Sequence, residues 1–425
     1  MNYKQKYLKY KQKYLKMLRD QKGGEPFLSD LKAKQAYLWL FAKNQRQLDF
    51  IFTGRSIRPM PPLGNITLNH QHKLSLLAKG SLPLFLLFRL VGPENQRLAK
   101  CIMSRLHKVP RISQPTCVAT IRNNRSIYSI AFHSILLLLA SGSGDGTVKL
   151  WNCSNANNPL QIANLTNHTG SVSSVAFHQT LPLLATGSND MTVKLWDCSN
   201  VQNPPTLITT IRHRFLVNSV AFHPTLPFLA SGLWNNTVKL WNYSDAQNPL
   251  QVANLTEHNM AVNSVTFHPT LPLLATGSSD RTIKLWNCSN PQNPTLIADL
   301  TNHTVWVNSV AFHSTLPLLA SGSSDYTVKL WDCTNTQNPP TLVMTIKHTR
   351  AVKSVAFHPT LPLLAIGFGF GDNTVKLLDC SNPRNPTRVA NLRGHTNTVS
   401  SVAFHPTLPV LASGSDDNTI KLWQL

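Results

Sequence analysis

Acidic side chains are scarce in this 425-residue chain, with 18 Asp and Glu set against 40 Lys and Arg for a formal net charge of +22. The shortage is local. Residues 1–112 hold 22 Lys and Arg and 5 Asp and Glu, 22 − 5 = +17, which leaves 18 − 13 = +5 for residues 113–425. Cysteine is nearly as sparse, at seven, and no CxxC occurs. Cys153, Cys198, Cys288, Cys333 and Cys380 are one position seen five times, so only Cys101 and Cys117 stand apart. This pattern excludes a disulfide framework and reads as free thiols in a reducing compartment. Long apolar runs are missing too. "SLPLFLLFRLV" at 81–91 is the most apolar stretch and is too short to span a bilayer. The chain opens on alternating Lys and Tyr, with no apolar signal-peptide core. A cytoplasmic location is the expectation.

What is abundant is repetition. "TVKLWDCSN" at 192–200 has close copies along the chain, and Trp151, Trp196, Trp241, Trp286 and Trp331 follow one another every 45 residues. Trp423 lies 423 − 331 = 92 residues further on, with the degenerate copy "TVKLLDC" between. Seven units therefore fill about 113–425. A period near 45 with several short apolar runs per unit predicts a propeller-type array, in which no unit can bury its own faces alone. Within one unit, strands are predicted at Val172 to Phe177, Leu183 to Gly187, Thr192 to Trp196 and Thr206 to Ile211. "SND" supplies a tight turn, and the prolines of "HPTLP" and "NPP" fall between strands.

The pattern His, Val-x-x-Val-x-Phe, then Leu-Ala-Ser/Thr-Gly-Ser-x-Asp-x-Thr-Val-Lys-Leu-Trp-Asp resembles the WD-repeat β-propeller family over nearly three quarters of the chain. The resemblance implies an all-β fold, a seven-bladed propeller of four-stranded antiparallel blades with first strands innermost; the residues ahead of it read as a basic, mostly helical extension. The chain ends on "IKLWQL", a third strand, and "PTCVATI" at 115–121 has the composition of the missing fourth, so it is expected to close the ring against 419–424. The resemblance further implies a buried hydrogen-bond chain from indole to hydroxyl to imidazole to carboxylate. The full set occurs four times: His168/Thr186/Asp190/Trp196, His258/Thr276/Asp280/Trp286, His303/Ser321/Asp325/Trp331 and His395/Ser413/Asp417/Trp423. Hydroxyl, His and Asp together invite a hydrolase reading. Recurrence in several blades, and termination in Trp, favour a structural network and no enzyme.

Three units depart from the pattern. Asn123 replaces the His of the first, Asn235 the Asp of the third, and Ile366 and Leu378 the hydroxyl and Trp of the sixth. Loss of both members of one hydrogen bond strands no buried donor, and the sixth unit, with two extra residues in "GFGFGDN", is expected to project a turn and to be the softest. His133, His178, His223, His268, His313, His358 and His405 each follow a Phe, but on separate blades they stand too far apart for shared ligation. His70 and His72 lack further ligands. No metal and no cofactor are expected.

If the framework is structural, function belongs where near-identical copies disagree. The loop before each first strand reads "TGS", "RFL", "NMA", "TVW", "TRA" or "TNT", and the tight turn varies through Met191, Trp234, Arg281, Tyr326, Phe368 and Phe370. The family places both loops on one rim. Phe215, Leu216, Trp234, Met260, Arg281, Trp306, Tyr326 and Arg350 have the composition of an interface hot spot for a protein or peptide. Ahead of the repeats, "YKQKYLK" occurs twice and puts Tyr3, Tyr7, Tyr10, Tyr14 and Met17 on a helical seam. Its lysines, within 4–22, suit nucleic acid or an acidic surface. This opening looks like the Lys/Tyr-rich starts of giant-DNA-virus proteins over about 20 residues, which would place the chain in host cytosol or virion. The expected organisation is a basic amphipathic helical segment at 1–24, a basic helical region at 25–112 with a linker at 54–64, and the propeller at 113–425. An interaction scaffold leads. A ubiquitin-ligase substrate receptor docking through 25–112, and a nucleic-acid or virion-associated protein acting through the basic arm, are the alternatives.

Overall fold

The computed structural model describes residues 114–200, 203–334 and 339–425. The helical seam at 1–24 with its lysines, the region 25–112 with its linker, His70, His72 and Cys101 lie outside the described residues.

Seven four-stranded antiparallel sheets make up the repeat region. In the second, the strands run Val172–Phe177, Leu183–Ser188, Thr192–Asp197 and Thr206–Arg212 in spatial as well as chain order. Three of the four extend one residue beyond the sequence reading. First strands of successive blades contact one another around a closed circuit, including the seventh back to the first. They are the innermost strands. The seventh sheet takes its outermost strand from the other end of the repeat region: Thr116–Arg122 pairs antiparallel with Thr419–Gln424, Ile121 opposite Ile420. Both edges of the array are thereby covered.

Alternation along each strand assigns its faces. Val193 and Leu195 point toward the third blade and pack with Val217, Val220 and Leu229. Trp196, one step out of phase, points the other way, onto Val148 and Leu150 of the first blade. Seven such cores form, one per blade interface, and the closing one joins Ile121, Val410 and Ile420 to Ile127 and Trp151. The glycine of Leu-Ala-Ser/Thr-Gly lets these interfaces close. A Cβ on Gly187 would lie 2.7 Å from Val217 Cγ1 of the next blade, and one on Gly277 the same distance from Val307 Cγ1.

Candidate interaction rim

The four complete sets form one hydrogen-bond chain each, with nearly superposable distances. In the fifth blade, Trp331 Nε1 donates to Ser321 Oγ (3.0 Å), Ser321 Oγ meets His303 Nε2 (2.8 Å), and His303 Nδ1 meets Asp325 Oδ2 (2.8 Å). The second blade gives 3.0, 2.7 and 2.7 Å through Trp196, Thr186, His168 and Asp190. Trp286, Thr276, His258 and Asp280 give 3.2, 2.7 and 2.7 Å. Trp423, Ser413, His395 and Asp417 give 2.8 Å throughout. Indole can only donate and carboxylate only accept, so the direction is fixed: the hydroxyl donates to Nε2 and Nδ1–H donates to the carboxylate of a neutral imidazole. Burial lowers His168, against the raising effect of Asp190. Burial alone would raise the carboxyls, but hydrogen bonds from His258 and Thr282 hold Asp280 well below the usual range, and Asp325 and Asp417 are held down in the same way. Each hydroxyl is wholly buried between indole and imidazole.

The incomplete blades show what the network costs when broken. In the first, Trp151 Nε1 still donates to Ser141 Oγ (3.1 Å), while Asn123 Nδ2 turns to Ser143 Oγ (2.9 Å) and Asn123 Oδ1 accepts from Lys149. In the third, Trp241 keeps Ser231 (3.1 Å), but His213 is buried with neither ring nitrogen partnered. The sixth blade corrects one expectation. Removing hydroxyl and indole together does strand a group, because the imidazole was the hydroxyl's second partner: His348 Nε2 is buried without a hydrogen bond. Burial pushes His213 and His348 down to about 4. Around His348 the blade is repacked with Ile366 and Phe368, and Asp372 pairs instead with Lys376 (2.8 Å), whose ammonium sits 4.1 Å from the Phe368 ring centre.

The histidines after each Phe have a structural role. Nδ1 of His133 accepts from the backbone N–H of Ile135 and Leu136, both at 3.0 Å, and the other six cap their own turns likewise. An Nδ1 that accepts twice requires a neutral ring. Burial lowers His178, His223, His268, His358 and His405 to about 4. Among the described residues no cluster of metal-ligating side chains occurs. A second ring also escaped the sequence reading. The Ser inside each Val-x-Ser-Val accepts from the Val (or Ile) N–H of the following blade, from Ser129 to Val175 (3.0 Å) around to Ser401 and Ile130 (3.1 Å). Seven hydroxyls thus stitch the bare inner edges together. The signal was an unvarying Ser in all seven copies.

The variable residues lie where two loops of each blade meet. Trp234 N donates to Leu216 O (3.0 Å), and Ser324 N to Trp306 O (2.9 Å), so each tight turn is bonded to the loop that enters its own first strand. Successive blades are joined as well: Tyr326 O accepts from His348 N (2.8 Å), and Asn236 Nδ2 donates to Asn259 O (2.9 Å). These bonds connect Phe215, Leu216, Trp234 and Met260 in one run and Trp306, Tyr326 and Arg350 in another. Arg281 occupies the intervening turn. Trp234 is 59 % exposed and Trp306 52 %; Phe215, Met260, Arg281, Tyr326 and Arg350 are exposed, and Leu216 is half-buried. Most exposed aromatic and Arg side chains on this rim belong to blades 3 to 6. Blades 7, 1 and 2 present mainly Asn, Thr, Ser and Gly there, with Arg125, Met191 and Tyr128 as the larger side chains.

One turn position carries a backbone cost. It takes a left-handed φ in every blade with the short turn, supplied by Gly146 (81°), Asn236 (71°) and Asn418 (66°), residues that tolerate it. Met191 (63°), Arg281 (73°) and Tyr326 (67°) adopt the same conformation with large exposed side chains.

Comparison with known proteins bears on the framework. The family model described as "WD domain, G-beta repeat" matches seven segments, 115–152, 159–197, 205–242, 249–287, 294–332, 340–379 and 386–424. Each segment starts on an outermost strand and ends on the third strand of the next blade, so the sequence repeat is staggered against the blade. No curated protein matches. A chain in the crystal structure of a mitotic checkpoint complex has a TM-score of 0.64 at 20 % identity, over 75 % of this chain and 94 % of that one.

Proposed function

This chain belongs to the WD-repeat β-propeller family, and we propose that it is a non-catalytic interaction scaffold that binds a protein or peptide across the loop rim of blades 3 to 6. The observation that carries the reading is a division of labour. Among the described residues the four His, hydroxyl and Asp sets are repeated and consumed by the fold, whereas most of the exposed Trp, Tyr, Phe, Met and Arg side chains of the rim gather on one arc, the composition of binding hot spots. The turn conformation at Arg281 and Tyr326 adds to it, since backbone cost borne under an exposed side chain points to a use for that side chain. The likeness to the checkpoint-complex chain carries the fold, and the partner is read from this chain's own residues. The net +17 of residues 1–112 favours, as a second contact, nucleic acid or an acidic surface touching the Lys-rich segment 4–22.

The test is affinity capture by the full chain and by Trp306→Ala/Arg350→Ala, with bound proteins quantified by mass spectrometry. The proposal expects a defined set of partners to disappear from the variant while its melting temperature stays unchanged. An unchanged set would reject the rim.

A further inference from the structure

The turn of blade 6 differs from the other six, and nothing in the framework requires the difference. Its extra residues place Phe370 at the tip, 78 % exposed, with Gly369 on one side and Gly371 on the other, the latter at φ 92°. Two cations flank that turn. A Cβ on Gly371 would fall 2.6 Å from Arg350 Nε, and one on Gly369 3.5 Å from Lys353 Cε. The loop bonds continue the surface into blade 5: Gly369 N donates to Ala351 O (2.8 Å), His348 N to Tyr326 O (2.8 Å) and Ser324 N to Trp306 O (2.9 Å). These bonds place Trp306, Tyr326, Arg350 and Phe370 on adjoining loops, a ridge running from blade 5 to blade 6.

Its acidic side chains are mostly engaged elsewhere. Asp325 is occupied by His303, Thr304 and Thr327, and Asp372 is paired with Lys376. Arg350 donates only to its neighbour's carbonyl, Thr349 O (3.2 Å), and meets no carboxylate. Lys353 faces Asp416 of blade 7 without forming an ion pair, and that carboxylate accepts from Ser400 (3.0 Å). The ridge therefore offers aromatic surface beside Arg350, which no carboxylate holds, and Lys353, which feels Asp416 without an ion pair to it.

We infer that this ridge docks an extended, carboxylate-rich peptide segment of a partner protein, an apolar side chain resting among Trp306, Tyr326 and Phe370 and Asp or Glu side chains on Arg350 and Lys353. The inference rests on the rim reading and narrows it. The chain's own basic extension is a poor occupant, because its +17 opposes the same two cations. A nucleic acid strand is a poorer fit than a peptide. Backbone phosphates recur along a strand and call for a continuous basic track, whereas this ridge sets two cations among apolar side chains. Carboxylate pairing with Arg fixes position, and the aromatic contact supplies most of the affinity.

The experiment selects phage-displayed random peptides about a dozen residues long on the full chain, then measures fluorescein-labelled winners by anisotropy against three proteins: the full chain, Arg350→Glu/Lys353→Glu and Phe370→Ser. All three keep the basic extension, so binding to it cancels. Winners are expected to combine Asp or Glu with an aliphatic or aromatic residue and to weaken about tenfold or more in each variant, with melting temperatures unchanged. Neutral or basic winners that sense the variants would overturn the acidic partner and leave the rim reading standing. Acidic winners that bind all three proteins alike would overturn this ridge, and no rim-sensitive winner at all would overturn both. A single-stranded oligo-dT that senses the variants and binds tighter than the best peptide would replace the peptide with nucleic acid.

Discussion

Removing one buried oxygen from two equivalent strands should have unequal consequences. Ser321 and Ser141 occupy the same place in blades 5 and 1, and both are fully buried. Each accepts an indole N–H, from Trp331 at 3.0 Å and from Trp151 at 3.1 Å. The second bond differs. Ser321 donates to His303 Nε2 (2.8 Å), whereas Ser141, with Asn123 in place of the network His, donates to the strand carbonyl of Lys149 (3.3 Å). Ser141→Ala therefore strands one buried side-chain group, the indole. Ser321→Ala strands two, the indole and the imidazole. A stranded buried polar group costs about 1–3 kcal/mol, so Ser321→Ala is expected to be the more destabilising by about 2 kcal/mol, or roughly 4 °C in melting temperature for a domain of this size. Differential scanning calorimetry of the two variants beside wild type reads the difference directly. Equal melting, or a lower melting temperature for Ser141→Ala, would refute the reasoning that His303 is a working member of the network.

The remaining predictions concern protons, thiols and blade contacts. Folded His178, His223, His268 and His405 stay neutral down to about pH 4, whereas unfolded imidazoles protonate below about 6.5; the unfolded state then binds more protons, so melting temperature should hold above pH 6.5 and fall between there and 4. The low-lying carboxyls of Asp280, Asp325 and Asp417 extend the loss below pH 3.8. A melting temperature flat from pH 6.5 to 4 would contradict the turn-cap assignment. Burial raises Cys153, Cys198, Cys288, Cys333 and Cys380 to about 12 while Cys117 is exposed; in a Cys101→Ser background a colorimetric thiol titration should count one fast thiol when native and the others only in denaturant. Gly187→Ala, whose Cβ would meet Val217 of the next blade, should lose about 1–3 kcal/mol in chemical denaturation. Gly144→Ala, 3.4 Å from the Tyr128 ring, should change little.

Much of the framework was legible because the repeats print their own comparison. Strands that recur in seven copies could be bounded to within a residue or two, since alternation, proline and the Asn/Asp turns fall at the same phase each time. What the repeat hides is anything that acts between copies. Ser129 and its six equivalents read as spacers in Val-x-x-Val, and their role appears only when the next blade's N–H arrives 3.0–3.1 Å away. The fate of His348 was missed for a related reason: Ile366 and Leu378 were weighed as a pair, although the hydroxyl that Ile366 replaces bridges two groups in the complete blades, indole and imidazole. Rim composition could be read residue by residue. The placing of Phe370 beside Arg350 could not, because it depends on how an enlarged turn folds back on the loop before its own blade.

The division between inert framework and binding rim is tested most directly by site-specific photocrosslinking. A benzophenone amino acid is placed in turn at Trp306 and Tyr326 on the rim, and at Leu160 and Leu250, more exposed still but on the outermost strands. Partner adducts at the two rim positions and none at the perimeter are the predicted result. Adducts confined to Leu160 and Leu250 would contradict it.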